Sequence, residues 1–415
     1  MWQFTLYNLL IQFYFGSIRM ASLFSKSAFK FTSGRKDWKF SLQKFQEEYA
    51  KRNQRIWIHA ASLGEFEQGR ELIEMIRKHH SEWVIILSFF SPSGFEKRKD
   101  YDQVDWVCYF PSDRFHDAKT FIEGIAPSLV LFIKYDFWFN TLQVLHQKNI
   151  PFYFVSSLFR SNHFLLQPLL KPLLYCVLKA KAIFVQDQNS KNLLEQSAGK
   201  APVIVTGDTR VDRVLRIASH NLSFSWAIPF CSGKRILVAG SVWKTDLESL
   251  FPAFKELIRH DWNILMVPHQ LEHGEMEWVE RKFGTAACRL SNYHNDANIR
   301  ILIIDQVGLL AHVYRYGDMA LVGGGFGKGI HNILEPAAHG LPVLFGPRFN
   351  KFPEAQMLID FGAAFCVNHS EAFLQAKDHI FEHQEAIKEK IHAYFASHSG
   401  ATQRVYDYIK HHLIA

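Results

Sequence analysis

The sequence predicts an α/β protein made of two doubly wound domains, and three observations support this prediction. Short apolar runs alternate with helical segments from Arg55 onward, and such runs are typical of parallel strands covered on both faces. A polar stretch at about 216–233 separates a first series of these runs from a second. The length of 415 residues also suits two ordinary domains. We therefore expect two parallel sheets, each covered by helices.

Residues 1–18 carry no charged side chain, and a basic stretch begins at Arg19. A secretory signal has the reverse order, with charge before the apolar run. The run is shorter than the roughly 20 apolar residues that a membrane span requires, and it contains Asn and Gln. Its aromatic residues and basic flank favour a short span or an interfacial anchor, with the flank on the cytoplasmic side. The alternative is a hydrophobic first helix packed on the core.

The apolar runs define the domain organisation. The predicted strands of the first series lie at 56–60, 83–87, 106–109, 129–133, 152–155, 182–185 and 203–205, and those of the second at 235–241, 264–269, 301–305, 319–322 and 341–346. We therefore assign 1–22 to a membrane anchor, 23–215 to an N-terminal domain and 216–415 to a C-terminal domain. The charged segment at about 370–413 is expected to be helical and to pack back on the first domain.

The most informative stretch joins a predicted strand, Met319–Val322, to a helix through five glycines within seven residues. Glycines let a backbone approach a ligand closely, and the free N–H groups of a helix start favour an anion. Asn332 can cap this helix, with Glu335 three positions later, which is close to a capping box. The stretch predicts a phosphate cradle in which Gly324 and Gly325 take part. The alternative is a glycine-rich turn with a structural cap.

Two better-known phosphate motifs do not fit this stretch. A Walker loop requires a glycine five residues before the Gly327–Lys328 pair, and Val322 stands there. A dinucleotide-binding fingerprint lies near the start of a βαβ unit, whereas this loop comes late in the chain.

Polar side chains follow several predicted strands, at the edge where open α/β sheets place ligand groups. Glu65 stands where a helix should begin, so its charge is stabilised, and it is a candidate general base if it faces the cleft. Asp136 follows the strand at 129–133 and could orient a base or bind a sugar hydroxyl. For each acid the alternative is a helix cap. Glu67 is interpreted as a solvated residue of the first helical turn.

The second domain has its own strand-end candidates. Ser241 stands in a small-residue turn, where a hydroxyl and backbone N–H groups can meet a phosphate. His269, after Pro268, can donate to a phosphate or a base, although His273 four residues on does not complete a metal spacing. Arg348 is placed to meet an anion.

The composition narrows the classes of partner. A net charge of +7 and a pI of about 9.0 favour anionic partners such as nucleic acid, phospholipid or a phosphorylated substrate. Nucleic acid ranks low because the sequence has no zinc finger, RNA-binding sheet motif or long Lys/Arg block. Five scattered cysteines without a CxxC pair indicate a reducing compartment, without a disulfide framework or a zinc site. We expect no metal and no cofactor.

Taken together, the motifs resemble the Kdo transferases of Gram-negative lipopolysaccharide synthesis, glycosyltransferase family 30. These enzymes move 3-deoxy-D-manno-octulosonic acid (Kdo) from CMP-Kdo to a lipid A precursor. The matching stretches are His-Ala-Ala-Ser-Leu-Gly-Glu at 59–65, Tyr-Phe-Pro-Ser-Asp at 109–113, Val-Thr-Gly-Asp at 205–208, and the run from the glycine loop through Gly-Ile-His-Asn-Ile-Leu-Glu-Pro to Gly-Pro at 346–347.

The resemblance implies a GT-B fold, with two Rossmann-like domains facing a central cleft, and an inverting transfer that needs no metal. It implies that Glu65 is the catalytic base, with Asp136 as a further catalytic residue, and that the acceptor is of the lipid IVA type. It implies attachment to the cytoplasmic face of the cell inner membrane. The implied CMP-Kdo contacts are Ser241, Pro268, His269, Gly324, Gly325, Asn332, Glu335 and Arg348.

The sequence departs from the family pattern at two places. The family commonly has Glu-Thr-Glu-Leu-Trp-Pro at the third strand-end motif, and here Lys134-Tyr135-Asp136 keeps one acid. The family's Pro-Arg-His is reduced to Pro268-His269, which removes a possible phosphate arginine. Two rival functions stay open. One is another GT-B enzyme, either a UDP-sugar transferase or a sugar-nucleotide epimerase; the other is an inactive, membrane-attached nucleotide-binding protein.

Overall fold

The computed structural model describes residues 2–197, 199, 201–220, 222–271 and 274–414, with the backbone alone at Trp2 and Ile414. The chain divides into two compact units: residues 1–212 together with 399–415, and residues 213–398. The division falls after Asp212, where the sequence predicts a boundary after residue 215. The last 17 residues are grouped with the first unit.

The first unit contains a seven-stranded parallel sheet with the order β3-β2-β1-β4-β5-β6-β7. Strand order reverses between β1 and β4, so a topological switch point lies at their carboxyl ends. The strands are β1 (Arg55–Ala60), β2 (Val84–Phe89), β3 (Trp106–Tyr109), β4 (Leu129–Ile133), β5 (Phe152–Ser157), β6 (Ala182–Val185) and β7 (Val203–Val205).

The second unit contains another seven-stranded parallel sheet, with the order β10-β11-β9-β8-β12-β13-β14. Its switch point lies between β8 and β12. The strands are β8 (Arg235–Val242), β9 (Trp262–Pro268), β10 (Ala287–Arg289), β11 (Ile301–Ile303), β12 (Met319–Val322), β13 (Val343–Phe345) and β14 (Ala364–Cys366).

Helices precede or follow the strands of each sheet. The helices that begin before Asp212 are α1 (Trp2–Ala21), α2 (Lys26–Ser33), α3 (Trp38–Glu48), α4 (Leu63–His79), α5 (Pro92–Arg98), α6 (Phe115–Ile125), α7 (Phe139–Gln147), α8 (Lys171–Val177), α9 (Gln188–Glu195) and α10 (Thr209–Ser219). Helix α10 continues past Asp212 into the second unit. The rest are α11 (Ala227–Cys231), α12 (Lys244–Ser249), α13 (Phe251–Arg259), α14 (Glu275–Phe283), α15 (Leu310–Val313), α16 (Leu334–Ala338), α17 (Pro353–Asp360), α18 (Ser370–Glu382), α19 (Gln384–His398), α20 (Ala401–Ile409) and α21 (His411–Ile414).

The first sheet is buried on both faces, which explains its continuous apolar strands. Along β1, the side chain of Trp57 joins a core that includes Phe45 of α3, whereas Ile56 and Ile58 join a second core on the opposite face. Alternate residues of a strand point to opposite faces, so both faces require apolar residues. The two cores together fix the carboxyl edge of the sheet, where the candidate residues lie.

The final helices complete the second of these cores. Val405 and Ile409 of α20 pack with the residues of β1 and β2 that face them. Asp212 accepts the backbone N–H groups of Gly400 (2.5 Å) and Thr402 (2.6 Å), which fixes the start of α20. The predicted helical segment at 370–413 is thus confirmed as helix, and its last part packs on the first sheet.

Helix α1 packs one side on the first unit and exposes an apolar side. The Tyr7 hydroxyl donates to Asp113 Oδ2 (2.6 Å), and the Asn140 amide donates to Asn8 Oδ1 (2.7 Å). In contrast, Phe13 is 75% exposed and Leu9 is 59% exposed. Among the described residues, no helix has the length and apolar character needed to cross a membrane. The membrane anchor at 1–22 therefore stays a prediction.

Candidate functional site

The candidate residues of each unit lie at the switch point of its sheet, which is where open α/β sheets bind ligands. In the first unit, β1 leads to Glu65 and β4 leads to Asp136. In the second unit, Ser241 is the second-last residue of β8, and β12 leads into the glycine loop. The sheet order therefore brings the strand-end motifs of each unit together.

Glu65 lies in the first turn of α4, directly after the turn that follows β1. Its carboxylate accepts a hydrogen bond from the Ser62 hydroxyl (2.5 Å). The side chain is half-buried, and burial raises the pKa of Glu65, with the Asp136 charge acting in the same direction. The Ser62 hydrogen bond and the charges of Lys134 and His59 oppose this rise. The carboxylate thus combines access with a higher affinity for a proton.

Asp136 contacts a buried histidine. Asp136 Oδ2 lies 2.9 Å from His59 Nε2 at the end of β1, and His59 is fully buried. The Trp138 indole N–H donates to the same His59 nitrogen (3.1 Å), and His59 Nδ1 lies 2.8 Å from Ser88 Oγ. Neither His59 nor Trp138 was assigned a role from the sequence. Asp136 is thus tied to the core of the first unit.

Glu67, two residues after Glu65, has a different environment. Its carboxylate pairs with the Arg98 guanidinium (2.8 Å). Glu67 is therefore a half-buried, ion-paired residue and not the solvated one that the sequence predicts. Helical geometry separates neighbouring positions on the helix surface, so two acids in one turn have different partners.

The glycine loop after β12 is organised around Asp246, a buried residue that sequence reasoning missed. Asp246 Oδ2 accepts the backbone N–H groups of Gly324 (2.7 Å) and Trp243 (2.8 Å), and Oδ1 accepts that of Phe326 (3.2 Å). The N–H groups of Gly327 (2.9 Å) and Gly329 (3.0 Å) donate to the Gly324 carbonyl oxygen. The loop therefore holds one of the chain's own carboxylates, and these five amides are already engaged.

Two glycines of this loop are required by close backbone contacts. A Cβ atom on Gly325 would lie 2.4 Å from the backbone nitrogen of Gly346, and one on Gly323 would lie 2.3 Å from the Ser241 carbonyl oxygen. Gly324 also has a φ of +90°. Ser241 itself has a φ of +52°, a left-handed conformation that is uncommon for a residue with a side chain. The end of β8 and the loops after β12 and β13 thus meet at one point.

Three aromatic rings stack beside this loop. His269 follows Pro268 at the end of β9. The centroid of its ring lies 4.4 Å from the ring centroid of Trp243 and 4.2 Å from that of His331. The Trp243 indole N–H donates to His331 Nε2 (3.0 Å). Burial, with the adjacent His269, lowers the pKa of His331 to about 4, so this ring is neutral at physiological pH. The stack offers a flat, partly exposed surface to a ligand.

Asn332 and Glu335 do not form the predicted capping box. The Asn332 side-chain amide donates to Glu335 Oε1 (2.9 Å), and Asn332 Oδ1 accepts the N–H of Leu334 (3.1 Å). In a capping box the glutamate would instead accept the backbone N–H of the capping residue. Burial raises the pKa of Glu335, whereas the nearby Arg213 charge lowers it.

Arg348 is exposed, and its guanidinium donates to the Gly327 carbonyl oxygen (2.6 Å). It thus lies against the glycine loop, and one of its donors is used within the protein. Among the described residues, no group of three or more His, Cys, Asp or Glu side chains is placed to hold a metal ion. His273 lies outside the described residues.

Comparison with known proteins identifies relatives in sequence. Residues 36–213 match the model of the 3-deoxy-D-manno-octulosonic-acid transferase (kdotransferase) N-terminal family. Curated 3-deoxy-D-manno-octulosonic acid transferases are similar over most of the chain. They include those of Chlamydophila psittaci (27% identity, 75% of this chain and 74% of the relative), Aquifex aeolicus (24%, 80% and 88%) and Haemophilus influenzae (25%, 87% and 87%).

Solved structures are similar in fold. A UDP-GlcNAc 2-epimerase from Neisseria meningitidis has a TM-score of 0.57 at 15% identity and covers 81% of this chain and 94% of its own. A glycosyltransferase from Rickettsia africae has a TM-score of 0.58 at 14% identity, and the match covers 87% of this chain and 99% of that one. These neighbours show a GT-B-like α/β fold.

The sequence relationship is more specific than the fold. It extends over at least three-quarters of this chain and of two of the three relatives named above, and over 74% of the third. The matched stretches include the strand-end motif that carries Glu65. The chain is therefore similar to the 3-deoxy-D-manno-octulosonic acid transferases over most of its length, and its residues 36–213 match their N-terminal family model.

Proposed function

We propose that this protein transfers Kdo from CMP-Kdo to a lipid A precursor of the lipid IVA type, with inversion at the anomeric carbon. The observation that carries the proposal is Glu65, a half-buried carboxylate with a raised pKa at the switch point of the first sheet. The sequence similarity to Kdo transferases and the donor contacts that the resemblance implies support the same reaction. Acceptor activation is assigned to the first unit and donor binding to the second.

In the proposed reaction, Glu65 takes the proton of a sugar hydroxyl on the acceptor. The resulting oxygen forms a bond to the anomeric carbon of Kdo through an oxocarbenium-like transition state, as in other glycosyl chemistry. The bond from that carbon to the phosphate oxygen breaks, and CMP leaves with the electron pair. A general base is most effective when its pKa is near the working pH, so the raised pKa of Glu65 suits this role.

Donor recognition is assigned to the second unit, around the stack of His269 and His331. The geometry supports a modified account of the phosphate site, because Asp246 already occupies the amides of Gly324 and Phe326. The remaining candidates for contact with the donor phosphate are the Ser241 hydroxyl, the imidazole groups of the stack and Arg348. Glu335 is assigned to the ribose hydroxyls, as the family resemblance implies.

In the direct test, the purified protein is incubated with CMP-Kdo and a tetra-acylated lipid A precursor. The mass of the lipid product is then measured by mass spectrometry. Transfer of one or more Kdo residues is expected. A parallel reaction with UDP-GlcNAc tests the rival donor class, because the fold neighbours include UDP-GlcNAc epimerases. Turnover of UDP-GlcNAc without Kdo transfer would replace this proposal, and a folded protein that turns over neither donor would favour the inactive alternative.

We further propose that the exposed side of α1 lies on the cytoplasmic face of the inner membrane. The large apolar side chains that this helix and the next turn expose are Leu6, Leu9, Leu10, Phe13, Tyr14, Met20, Leu23 and Phe24. Basic residues follow them, and no acidic residue occurs before Asp37. This pattern suits an interfacial helix on an anionic bilayer.

We expect Phe13→Asp to weaken binding to vesicles containing phosphatidylglycerol by about tenfold. The reason is that burying a phenylalanine side chain contributes about 1.5–3 kcal/mol. Ile228→Asp is the matched control, because Ile228 is 70% exposed on α11 of the second unit, compared with 75% for Phe13. Co-sedimentation measures both variants, and an equal loss in the two would contradict the assignment to α1.

A further inference from the structure

The hydrogen bond between Trp243 and His331 determines which ring nitrogen of His331 carries a proton. An indole N–H can only donate, so His331 Nε2, which lies 3.0 Å from Trp243 Nε1, accepts with its lone pair. A neutral imidazole has one N–H group, which must then be on Nδ1. Burial and the adjacent His269 lower the pKa of His331 to about 4, so the ring keeps this neutral form at physiological pH.

The Nδ1 atom of His331 points away from the glycine loop. The Cδ2 atom of the ring is on the side of Gly324, where it would lie 3.3 Å from a Cβ atom on that glycine. Nδ1 and Cδ2 flank Cγ on opposite sides of an imidazole ring, so Nδ1 is on the side away from Gly324. Across the part of the chain that the structure describes, no acceptor bonds to His331 Nδ1, and this atom is not among the enclosed atoms that lack a partner. The ring therefore presents one N–H donor to solvent.

A positive group lies over the same aromatic stack. The ammonium group of Lys328 is 5.7 Å from the centre of the Trp243 ring, and Lys328 is exposed. No carboxylate in the described ranges forms an ion pair with Lys328. Two acids close to the stack in the chain are already engaged, since Asp246 accepts backbone N–H groups and Glu335 accepts the Asn332 amide. A neutral donor beside a cation favours an oxyanion over an uncharged acceptor.

We propose that Trp243 is a positioning residue that holds His331 as a neutral Nδ1–H donor, and that this N–H group binds a phosphate oxygen of the nucleotide donor. The identity of the ligand rests on the proposed function, whereas the position of the proton on His331 does not. A donor that neither gains nor loses a proton near neutral pH gives the phosphate a contact of constant charge. Lys328, rather than His331, then supplies positive charge at this surface.

Nitrogen-15 NMR of protein labelled at its histidines tests the position of the proton directly. Between about pH 6 and pH 8, His331 Nε2 should have the chemical shift of an unprotonated imidazole nitrogen, and Nδ1 that of a protonated one. His339 is the internal reference. Its Nε2 atom lies 2.7 Å from the Ala311 carbonyl oxygen, which only accepts, so its proton must be on Nε2. The same pattern at His331, or a mixture of tautomers there, would overturn the proposal.

Trp243→Phe removes the indole N–H group and keeps an aromatic ring beside His269. The His331 signals should then become those of exchanging tautomers. The pKa of His331 should rise, because a hydrogen bond to the neutral form disfavours the charged form. The His339 signals should stay unchanged. If the His331 signals also stayed unchanged, Trp243 would not fix the proton and the proposal would be overturned.

Two substitutions at His331 separate ligand binding from packing. Asparagine places an amide N–H group where Nδ1 was and loses the contact with Trp243, whereas glutamine places an amide oxygen where Nε2 was and keeps that contact. In calorimetry at about pH 7.5, His331→Gln should bind CMP about tenfold more weakly, because a hydrogen bond to a charged group contributes at least this factor. His331→Asn should stay within about threefold of the wild-type affinity. The reverse order would show that His331 serves only to pack Trp243.

His339→Gln is the matched control, because it removes another half-buried histidine of the second unit and keeps a donor to Ala311. Its CMP affinity should equal that of the wild-type protein. CMP should also move the Nδ1 signal of His331, and cytidine should not. An equal movement with cytidine, or a wild-type protein that does not bind CMP, would overturn the phosphate assignment.

The same variants distinguish this inference from the proposed function. If the protein binds CMP through His331 but does not transfer Kdo, the proposed function alone is refuted. If it transfers Kdo and His331→Gln binds CMP as tightly as the wild-type protein does, this inference alone is refuted.

Discussion

Replacement of Glu65 by glutamine is expected to lower kcat by about 100- to 10,000-fold, which is the usual contribution of a positioned general base. Glutamine has nearly the same shape and still accepts the hydrogen bond from Ser62, so α4 should begin as before. The amide cannot take a proton from the acceptor hydroxyl. Binding of the donor should change little, because the donor contacts are assigned to the second unit.

Glu67→Gln provides the comparison within the same helical turn. It removes the same charge but weakens the ion pair with Arg98, which is a structural contact. Its kcat should therefore stay within a few-fold of the wild-type value. Initial rates of Kdo transfer at saturating donor, with circular dichroism spectra of each variant, measure the effect. A Glu65→Gln enzyme with near-normal kcat would remove Glu65 from the role of base.

Most of the fold could be predicted from the sequence because the strands are buried on both faces. A doubly covered strand is a continuous apolar run, and twelve such runs correspond to twelve strands of the structure. The sequence interpretation missed β10 (Ala287–Arg289) and β14 (Ala364–Cys366). Both are three-residue strands at the edges of the second sheet, where one side has no neighbouring strand and burial is incomplete.

The candidate sites were predictable where a charged residue follows an apolar run, as at Glu65 and Asp136. The contact between His59 and Asp136 was harder to predict, because His59 belongs to the run itself and Asp136 is 77 positions away in the chain (136 − 59). Only the register of three strands shows that the two residues meet. A signal was present in the sequence, because a histidine within a fully apolar strand requires a polar partner.

The glycine loop shows a different limit of sequence reasoning. Five glycines correctly indicate a loop in which backbone segments approach closely, as Gly325 and Gly346 do. The pattern does not reveal what the loop amides bind. Their partner, Asp246, lies 78 residues before Gly324 and was visible only as an acid near the start of a helix.

The second large effect is expected for Asp246→Asn. The two oxygens of Asp246 accept three backbone N–H groups, from Trp243, Gly324 and Phe326. Asparagine has one acceptor oxygen, and its amide nitrogen would face an N–H donor on the other side. Leaving a buried donor unpaired costs about 1–3 kcal/mol, and the other two hydrogen bonds lose their charged acceptor, so the loop should lose about 3 kcal/mol of local stability.

Hydrogen exchange measured by mass spectrometry is the most direct readout of this loss. A change of about 3 kcal/mol corresponds to roughly 100-fold faster exchange in the peptide that contains the glycine loop. Glu248→Gln is the control, because Glu248 lies two positions on in the same helix and pairs with Lys244 at the surface. Its exchange should match that of the wild-type protein.

The same pair of variants separates two views of the loop. If Asp246 organises the loop for the donor, Asp246→Asn should weaken CMP binding in calorimetry in parallel with the faster exchange, and Glu248→Gln should change neither. If the loop instead contributes only its glycine backbone, exchange would rise without a loss of affinity. The first result is expected, because Asp246 also holds the N–H of Trp243, and the Trp243 ring stacks on His269. One buried carboxylate thus connects the loop to the aromatic surface on which donor recognition is assigned.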